Sequence, residues 1–301
     1  MTTVGRLGDP SSVRRLQLDG VVATYVVDAV LRMDVGFFPT IPRDFWSANR
    51  ALLGADGRLP MSAGGLLVEL AGTTVLIDAG VGPGPVQFPD ADIRSGALVD
   101  VLADIGRRPE DVDVVAFTHL HFDHSGWAFV DGEKTFPHAR YVLAASEWIA
   151  HASCLGGDGA AAPEHVLRAF ASGAAELDLV GDGDEVVAGV RAIVTPGHSP
   201  GHTSYVITSQ SGHRLVAFGD VFHAPAQLAH PDWVAIADRD TAGVIAARRR
   251  LLAELSAPNT VGFGFHFGDQ AFGRVVTSRG SEALWEPVPT WVLAPAPQQS
   301  Q

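Results

Sequence analysis

Thr118-His119-Leu120-His121-Phe122-Asp123-His124-Ser125-Gly126 packs three histidines and an aspartate into six positions. Such a cluster opposes folding, because imidazoles and a carboxylate crowded on one turn lose solvent together. A divalent metal offsets that, since imidazole nitrogen and carboxylate oxygen are its usual ligands. The plain alternative is a chance run of surface or core histidines, and the rarity of H-x-H-x-D-H weighs against it. The β-rich run Asp113-Val114-Val115-Ala116-Phe117 ends where the histidines begin. A strand's carboxyl end is where α/β proteins usually present their chemistry.

Three later segments repeat that arrangement. Val194-Thr195-Pro196-Gly197-His198-Ser199-Pro200-Gly201-His202 follows a short apolar strand and carries His198 on a Pro/Gly turn. Leu215-Val216-Ala217 leads to Phe218-Gly219-Asp220-Val221-Phe222-His223, and Val261-Gly262-Phe263-Gly264-Phe265-His266 is an apolar strand ending on a histidine. Four strand ends, each delivering His or Asp to a loop, point to one convergent site.

With T-H-L-H-F-D-H, T-P-G-H-S-P-G-H, F-G-D and a late strand-end His in this order, the chain resembles the metallo-β-lactamase superfamily from about Leu66 to His266. Gly219-Asp220-Val221-Phe222-His223, Pro231-Asp232 and Arg248-Arg249-Arg250 are most similar to the methyl parathion hydrolase branch. The resemblance implies an αβ/βα four-layer sandwich with two mixed sheets inside outer helices. It also implies a dinuclear site: one metal on His119, His121 and His198, the other on Asp123, His124 and His266, with Asp220 and a water or hydroxide bridging. Two cations on one water give a nucleophile near neutral pH and polarise the substrate oxygen. Asp123 would orient that nucleophile and help move its proton. His223 stands where quorum-quenching lactonases of the superfamily carry a tyrosine that assists the oxyanion, so it either donates to substrate or packs. Zinc is the expected ion, although N/O ligation also accepts manganese, cobalt or iron.

Asp78, ending the apolar run Thr74-Val75-Leu76-Ile77, has a role if it accepts the spare N–H of a ligand imidazole; its alternative is a turn aspartate before Gly80. His202 is expected to support the ligands rather than bind metal. His138, His151, His165, His213 and His230 have no matching partners in the sequence. The irregular stretch of residues 35–60, with Phe37, Phe38 and Trp46, is expected to overhang the metals. Together with Phe122, Trp148 and Phe222 it would wall an apolar pocket for an acyl or aryl group. Trp127 is a further candidate for that wall. Core packing or a dimer contact is the alternative for each aromatic except Phe122, which lies between ligands.

Composition narrows the class. The 301 residues are 47% hydrophobic, enough for a large core, and no apolar run approaches the ~18–20 residues of a membrane span. A net charge of −13 argues against nucleic acid as partner. The single cysteine, Cys154, lies away from every ligand loop and excludes an intramolecular disulfide. With no basic, apolar leader visible, a cytoplasmic setting is expected. Residues 1–293 read as one domain and 294–301 as a flexible tail; a homodimer is compatible, with no interface legible. Strands are expected over residues 21–31, 66–70, 74–77 and 274–278, and helices over 95–106, 144–152, 164–171 and 241–255.

The sequence therefore points to a dinuclear hydrolase of a small ester, lactone or phosphotriester with an apolar portion. A thioesterase or biosynthetic lactone-processing enzyme is the leading alternative. An iron-dependent persulfide dioxygenase and a metal-binding protein without turnover are the others.

Overall fold

Period-two alternation along the strands builds the layers. In Leu59–Leu70, Leu66, Val68 and Leu70 face one apolar cluster while Leu67 faces another. Thr73–Ile77 repeats this, with Val75 and Ile77 on the first side and Leu76 on the second. In Val190–Val194, Val190 and Ala192 meet that first cluster from the opposite sheet, and Ile193 points outward. The first cluster is therefore the filling between two sheets, and the others lie under outer helices. This is the αβ/βα sandwich.

The computed structural model describes residues 1–84, 86, 91–152, 162–278 and 282–297. Among these residues the first sheet runs, in spatial order, Thr2–Thr3, Thr290–Ala294, Val13–Leu18, Val21–Met33, Leu59–Leu70, Thr73–Ile77, Val114–Ala116, Arg140–Ala144 and Leu177–Val180. Ala91–Arg94 adds to the far end of Val21–Met33. Pairing is antiparallel up to Thr73–Ile77 and parallel beyond it. The second sheet runs Glu185–Val187, Val190–Val194, Thr203–Thr208, Arg214–Ala217, Thr260–Phe263, Phe272–Thr277 and Ala283–Pro287, with one parallel pair at its centre.

Helical spacing sets the outer layers. Leu98, Val101 and Leu102 on Leu98–Asp104, and Val166, Leu167, Ala169 and Phe170 on Glu164–Ser172, bury against the first sheet. Thr241–Leu255 turns Ala247, Leu251 and Leu255 onto the second, and its start is capped by Asp240 accepting from the Ala242 N–H.

Several expectations need adjustment. The strand before His266 stops at Phe263, so this histidine sits three residues into a loop. Residues 35–60 are less irregular than their composition suggests, forming the short helix Arg43–Ala48, two single 3-10 turns and the start of a long strand at Leu59. Ala294 ends a paired strand, so it is no part of a flexible tail; residues 298–301 lie outside the described ones, as does Cys154.

Glu147, fully buried on the helix Ala145–Ala152, joins loops from the two sheets. Its Oε1 accepts from the Leu120 N–H at 3.2 Å, and its Oε2 accepts from Ser199 Oγ and the Gly201 N–H, both at 2.8 Å. Gly201 is needed there, because a Cβ would stand 2.1 Å from the Glu147 nitrogen. His151, which the sequence left without a role, places Nε2 3.2 Å from Glu147 Oε1. Burial would raise the Glu147 pKa, but His151, Ser199 and Gly201 hold it below the ordinary glutamate value. Glu147→Ala orphans three buried donors and should destabilise the protein by about 1–3 kcal/mol for each donor that water cannot reach. Urea unfolding measures this, and a loss below 1 kcal/mol would show that the loops hold without the clamp.

Candidate metal centre

Five strands supply the site, all from their carboxyl ends. Thr73–Ile77 delivers Asp78; Val114–Ala116 delivers residues 118–124; Val190–Val194, Arg214–Ala217 and Thr260–Phe263 deliver His198, Asp220 and His266. Asp220 stands at the centre, nearly buried. Its Oδ2 is 3.9 Å from His119 Nε2 and 3.4 Å from His198 Nε2, and His198 Nε2 is 2.9 Å from His121 Nδ1. Its Oδ1 is 3.2 Å from His124 Nε2 and 3.1 Å from His266 Nε2. Asp123 Oδ2 completes the second group, 3.6 Å from His124 Nε2 and 3.7 Å from His266 Nε2.

The donor atoms thus form two sets, His119, His121, His198 and Asp220, and Asp123, His124, Asp220 and His266, each lying within 4.8 Å. His119 Nε2, His124 Nε2 and Asp220 Oδ1 are buried without a hydrogen bond of sound geometry. Orphaned buried donors of this chemistry fit a divalent cation in each set. The structure brings together all seven residues that the sequence nominated as ligands.

Four of the five donor rings are anchored on their far side, while His121 instead meets His198. His124 Nδ1 lies 2.7 Å from Asp78 Oδ2, and Asp78 also accepts from the Thr118 N–H and hydroxyl. Asp78 reaches this position at φ 62°, a left-handed backbone that aspartate tolerates better than most residues. His119 Nδ1 contacts Thr118 Oγ1 at 2.9 Å, and His266 Nδ1 the Ser62 carbonyl at 3.0 Å. His202 Nε2 accepts the Asp220 N–H at 2.9 Å, so its proton sits on Nδ1, toward Thr195 Oγ1. It steadies Asp220's backbone from below and belongs to neither donor set. Gly219 permits this approach: its φ is +53°, and a Cβ would meet His202 Nε2 at 2.5 Å.

Charge follows from burial and neighbours. Burial, followed by the other imidazoles, holds His119 and His121 well below the ordinary imidazole pKa, so their nitrogens keep free lone pairs. Burial opposes protonation of His124 and His266 as well, but Asp220 and Asp123 hold both above it. Burial would raise Asp220, yet His124, His266 and His223 hold it well below the carboxylate range.

Above Asp220 opens a cavity of about 260 Å³. Leu31, Met33, Phe37, Met61, Ile93 and Phe122 form apolar walls, Ile236, Ala237 and Arg239 another side, and Asp123 and His223 face in beside the ligands. His223 places Nε2 3.2 Å from Asp220 Oδ2, packs edge-on against Phe37, and has neither ring nitrogen in a hydrogen bond. Five aromatics nominated for the wall lie elsewhere. Phe38 and Trp46 pack behind Phe37 in its cluster. Trp148 sits on an outer helix against Phe170, and Phe222 is buried between Phe218 and Arg248 beneath the second sheet. Trp127 lies in the cluster under the first sheet, its Nε1 donating to Asp28 Oδ1. Sequence reasoning also missed three buried charges: Asp28, Glu147 and Asp238. Asp28 accepts from the Val81, Gly82, Gly96 and Leu98 N–H groups as well as from Trp127, fixing the loop after Asp78. Asp238 Oδ1 meets His198 Nδ1 at 3.1 Å. None lies in a motif, and only the isolation of Asp28 within a long apolar strand could have signalled a buried role.

Known proteins resemble this chain in sequence or in fold. An N-acyl homoserine lactonase of Bacillus cereus is 32% identical over 116 residues, 38% of this chain, and the match spans only 41% of that relative's length. A probable metallo-hydrolase of Mycobacterium bovis is 31% identical over 187 residues, 52% of this chain and 56% of its own. Among solved structures, the dizinc quorum-quenching lactonase AidC superposes with a TM-score of 0.77 at 21% identity, over 93% of this chain and 98% of its own. The hydrolase AbOPH does so at 0.78 and 23%, over 92% and 98%. The family description "Metallo-beta-lactamase superfamily" matches residues 65–261, the span that holds six of the seven clustered donors and stops just short of His266. By that match and by its fold, the chain belongs to the metallo-β-lactamase superfamily.

Proposed function

We propose that this protein is a two-metal hydrolase that opens an acyl lactone or cleaves a related small ester. One observation carries the reading: a buried carboxylate, Asp220, turns each oxygen to a separate set of ligand-type side chains, each with one orphaned imidazole nitrogen, at the floor of an apolar cavity. His119, His121 and His198 would hold one ion, Asp123, His124 and His266 the other, and Asp220 would give one oxygen to each. When bound, two such cations acidify a water and polarise the scissile carbonyl. The N-acyl homoserine lactonases among the relatives make a lactone with an acyl chain the leading substrate class.

The chain's own residues supply the rest. Leu31, Met33, Phe37 and Met61 shield the site from bulk water and offer an acyl chain apolar contact. Asp123 faces the cavity beside His124 and His266, placed to take the proton of the attacking water and return it to the leaving oxygen. His223 has unsatisfied ring nitrogens at the cavity floor, so its N–H is free to donate to the oxygen that gains charge in the transition state. A phosphotriester is the second substrate class, on the strength of His223 and the likeness of residues 219–223 to the methyl parathion hydrolase branch.

Purified protein should carry two metal equivalents and hydrolyse an acyl homoserine lactone faster than a p-nitrophenyl ester or a phosphotriester. A chelator should abolish turnover and lower the Tm, and zinc should restore both. One iron with oxygen uptake on glutathione persulfide would instead identify a dioxygenase, and two metals without turnover on any of these a binding protein. Asp220→Ala should lose metal and activity together; an unchanged metal count would remove Asp220 from the centre. His223→Ala should keep both metals while kcat falls by about 10²-fold, the order found for removal of one oxyanion donor. A wild-type kcat would leave His223 a packing residue.

A further inference from the structure

We infer that the buried Asp238–Arg248 pair positions His198 and the Asp220 loop together and ties both to the wall of the substrate cavity. The inference rests on the two-metal reading above. Of the three consecutive arginines on Thr241–Leu255, Arg249 is exposed and Arg250 pairs at the surface with Asp182. Arg248 alone is buried, and two of its partners, Val221 and Asp238, adjoin the centre. Nε donates to the Val221 carbonyl at 2.7 Å, within the turn between Asp220 and His223. Nη1 donates to the carbonyls of Trp233 at 2.7 Å and Pro231 at 3.1 Å, and Nη2 to Asp238 Oδ2 at 3.1 Å.

Asp238 completes the connection. Its Oδ2 also accepts the Ala235 N–H at 2.9 Å, while Oδ1 faces His198 Nδ1. Accepting a proton from Nδ1 leaves the Nε2 lone pair of His198 directed at the Asp220 side, where the first donor set meets. On either side of Asp238, Ala237 and Arg239 line the cavity, with Ile236 next to them. One ion pair therefore fixes a ligand ring, the backbone after the central carboxylate, and one wall.

Stability alone does not account for such a pair, because a buried ion pair is often matched or exceeded by apolar residues of similar volume. Apolar side chains could not accept from His198 or donate to Val221, so what the pair adds is geometry. Linkage then makes the effect mutual: a ligand that favours this placement of the wall also favours the metal-binding orientation of His198.

The test compares Asp238→Asn and Asp238→Glu with the wild-type holoenzyme, measuring zinc retention against a chelator and the absorption of the cobalt-substituted protein. Asp238→Asn should weaken one of the two metal equivalents by about 10–100-fold and leave the other unchanged, with the cobalt spectrum altered and kcat reduced. Thr40→Val is the contrast, since Thr40 Oγ1 accepts the Val234 N–H at 2.8 Å and holds the same wall away from His198. It should raise KM and leave metal retention unchanged. Wild-type retention of both metals in Asp238→Asn, equal loss of both, or weakened metal in Thr40→Val would overturn the inference. So would failure of both Asp238 variants to fold, which would assign the pair to stability alone. A wild-type protein that binds no metal would instead overturn the two-metal reading itself.

Discussion

Asp220 occupies a space that water barely enters, and each of its oxygens answers to a different group of imidazoles. A lone carboxylate there would be costly to bury, and so would the rings around it. The rest of the architecture answers that constraint. His202 holds the Asp220 N–H from beneath, Gly219 lets the backbone come close enough, and Arg248 holds the carbonyl of Val221, the next residue. Four of the five donor rings in turn meet a fixed partner: Thr118, Asp78, Asp238 or the Ser62 carbonyl. The sandwich is what allows such a shell, because five carboxyl-terminal strand ends from two sheets open at one rim.

One strained residue, Asp78, stands at the same rim. Asp78 adopts a left-handed conformation of the kind that costs about 1–3 kcal/mol for a non-glycine residue. The Thr118 N–H, the Thr118 hydroxyl and His124 all engage its carboxylate, and those bonds over-determine the strained conformation. Asp28 secures the next turn of chain through Val81 and Gly82. Two acids that bind no metal thereby shape the loop opposite the histidine motif.

The donors were legible from sequence because a strand end followed by His or Asp is a local pattern, readable at His119, His198 and Asp220 alike. The layers were legible for a similar reason: residues 66–70 and 74–77 are mostly apolar runs on either side of Ala71-Gly72, and Thr241–Leu255 repeats at helical spacing. What stayed hidden depends on residues distant in the chain. Asp238 meets His198 across 40 positions, and Glu147 meets Ser199 across 52. Neither partner announces the other. The aromatics were harder still, since hydrophobicity says that Phe222 and Trp148 are buried but not behind which layer. Phe37 and Phe122 differ from them in standing beside the centre, Phe37 packed on His223 and Phe122 between His121 and Asp123 in the chain.

The first sheet has one further property. Its strand Val13–Leu18 is flanked by Thr290–Ala294, which follows every donor in the chain, and Arg14 is bound to Asp269 close beyond His266. During synthesis the amino-terminal half emerges with an unpaired β-edge and waits for Thr290–Ala294 to cover it. Until then that edge is open to other extended chains. Nascent protein thus keeps this edge open until after all seven donors have been made, because the strand that covers it follows them in the chain.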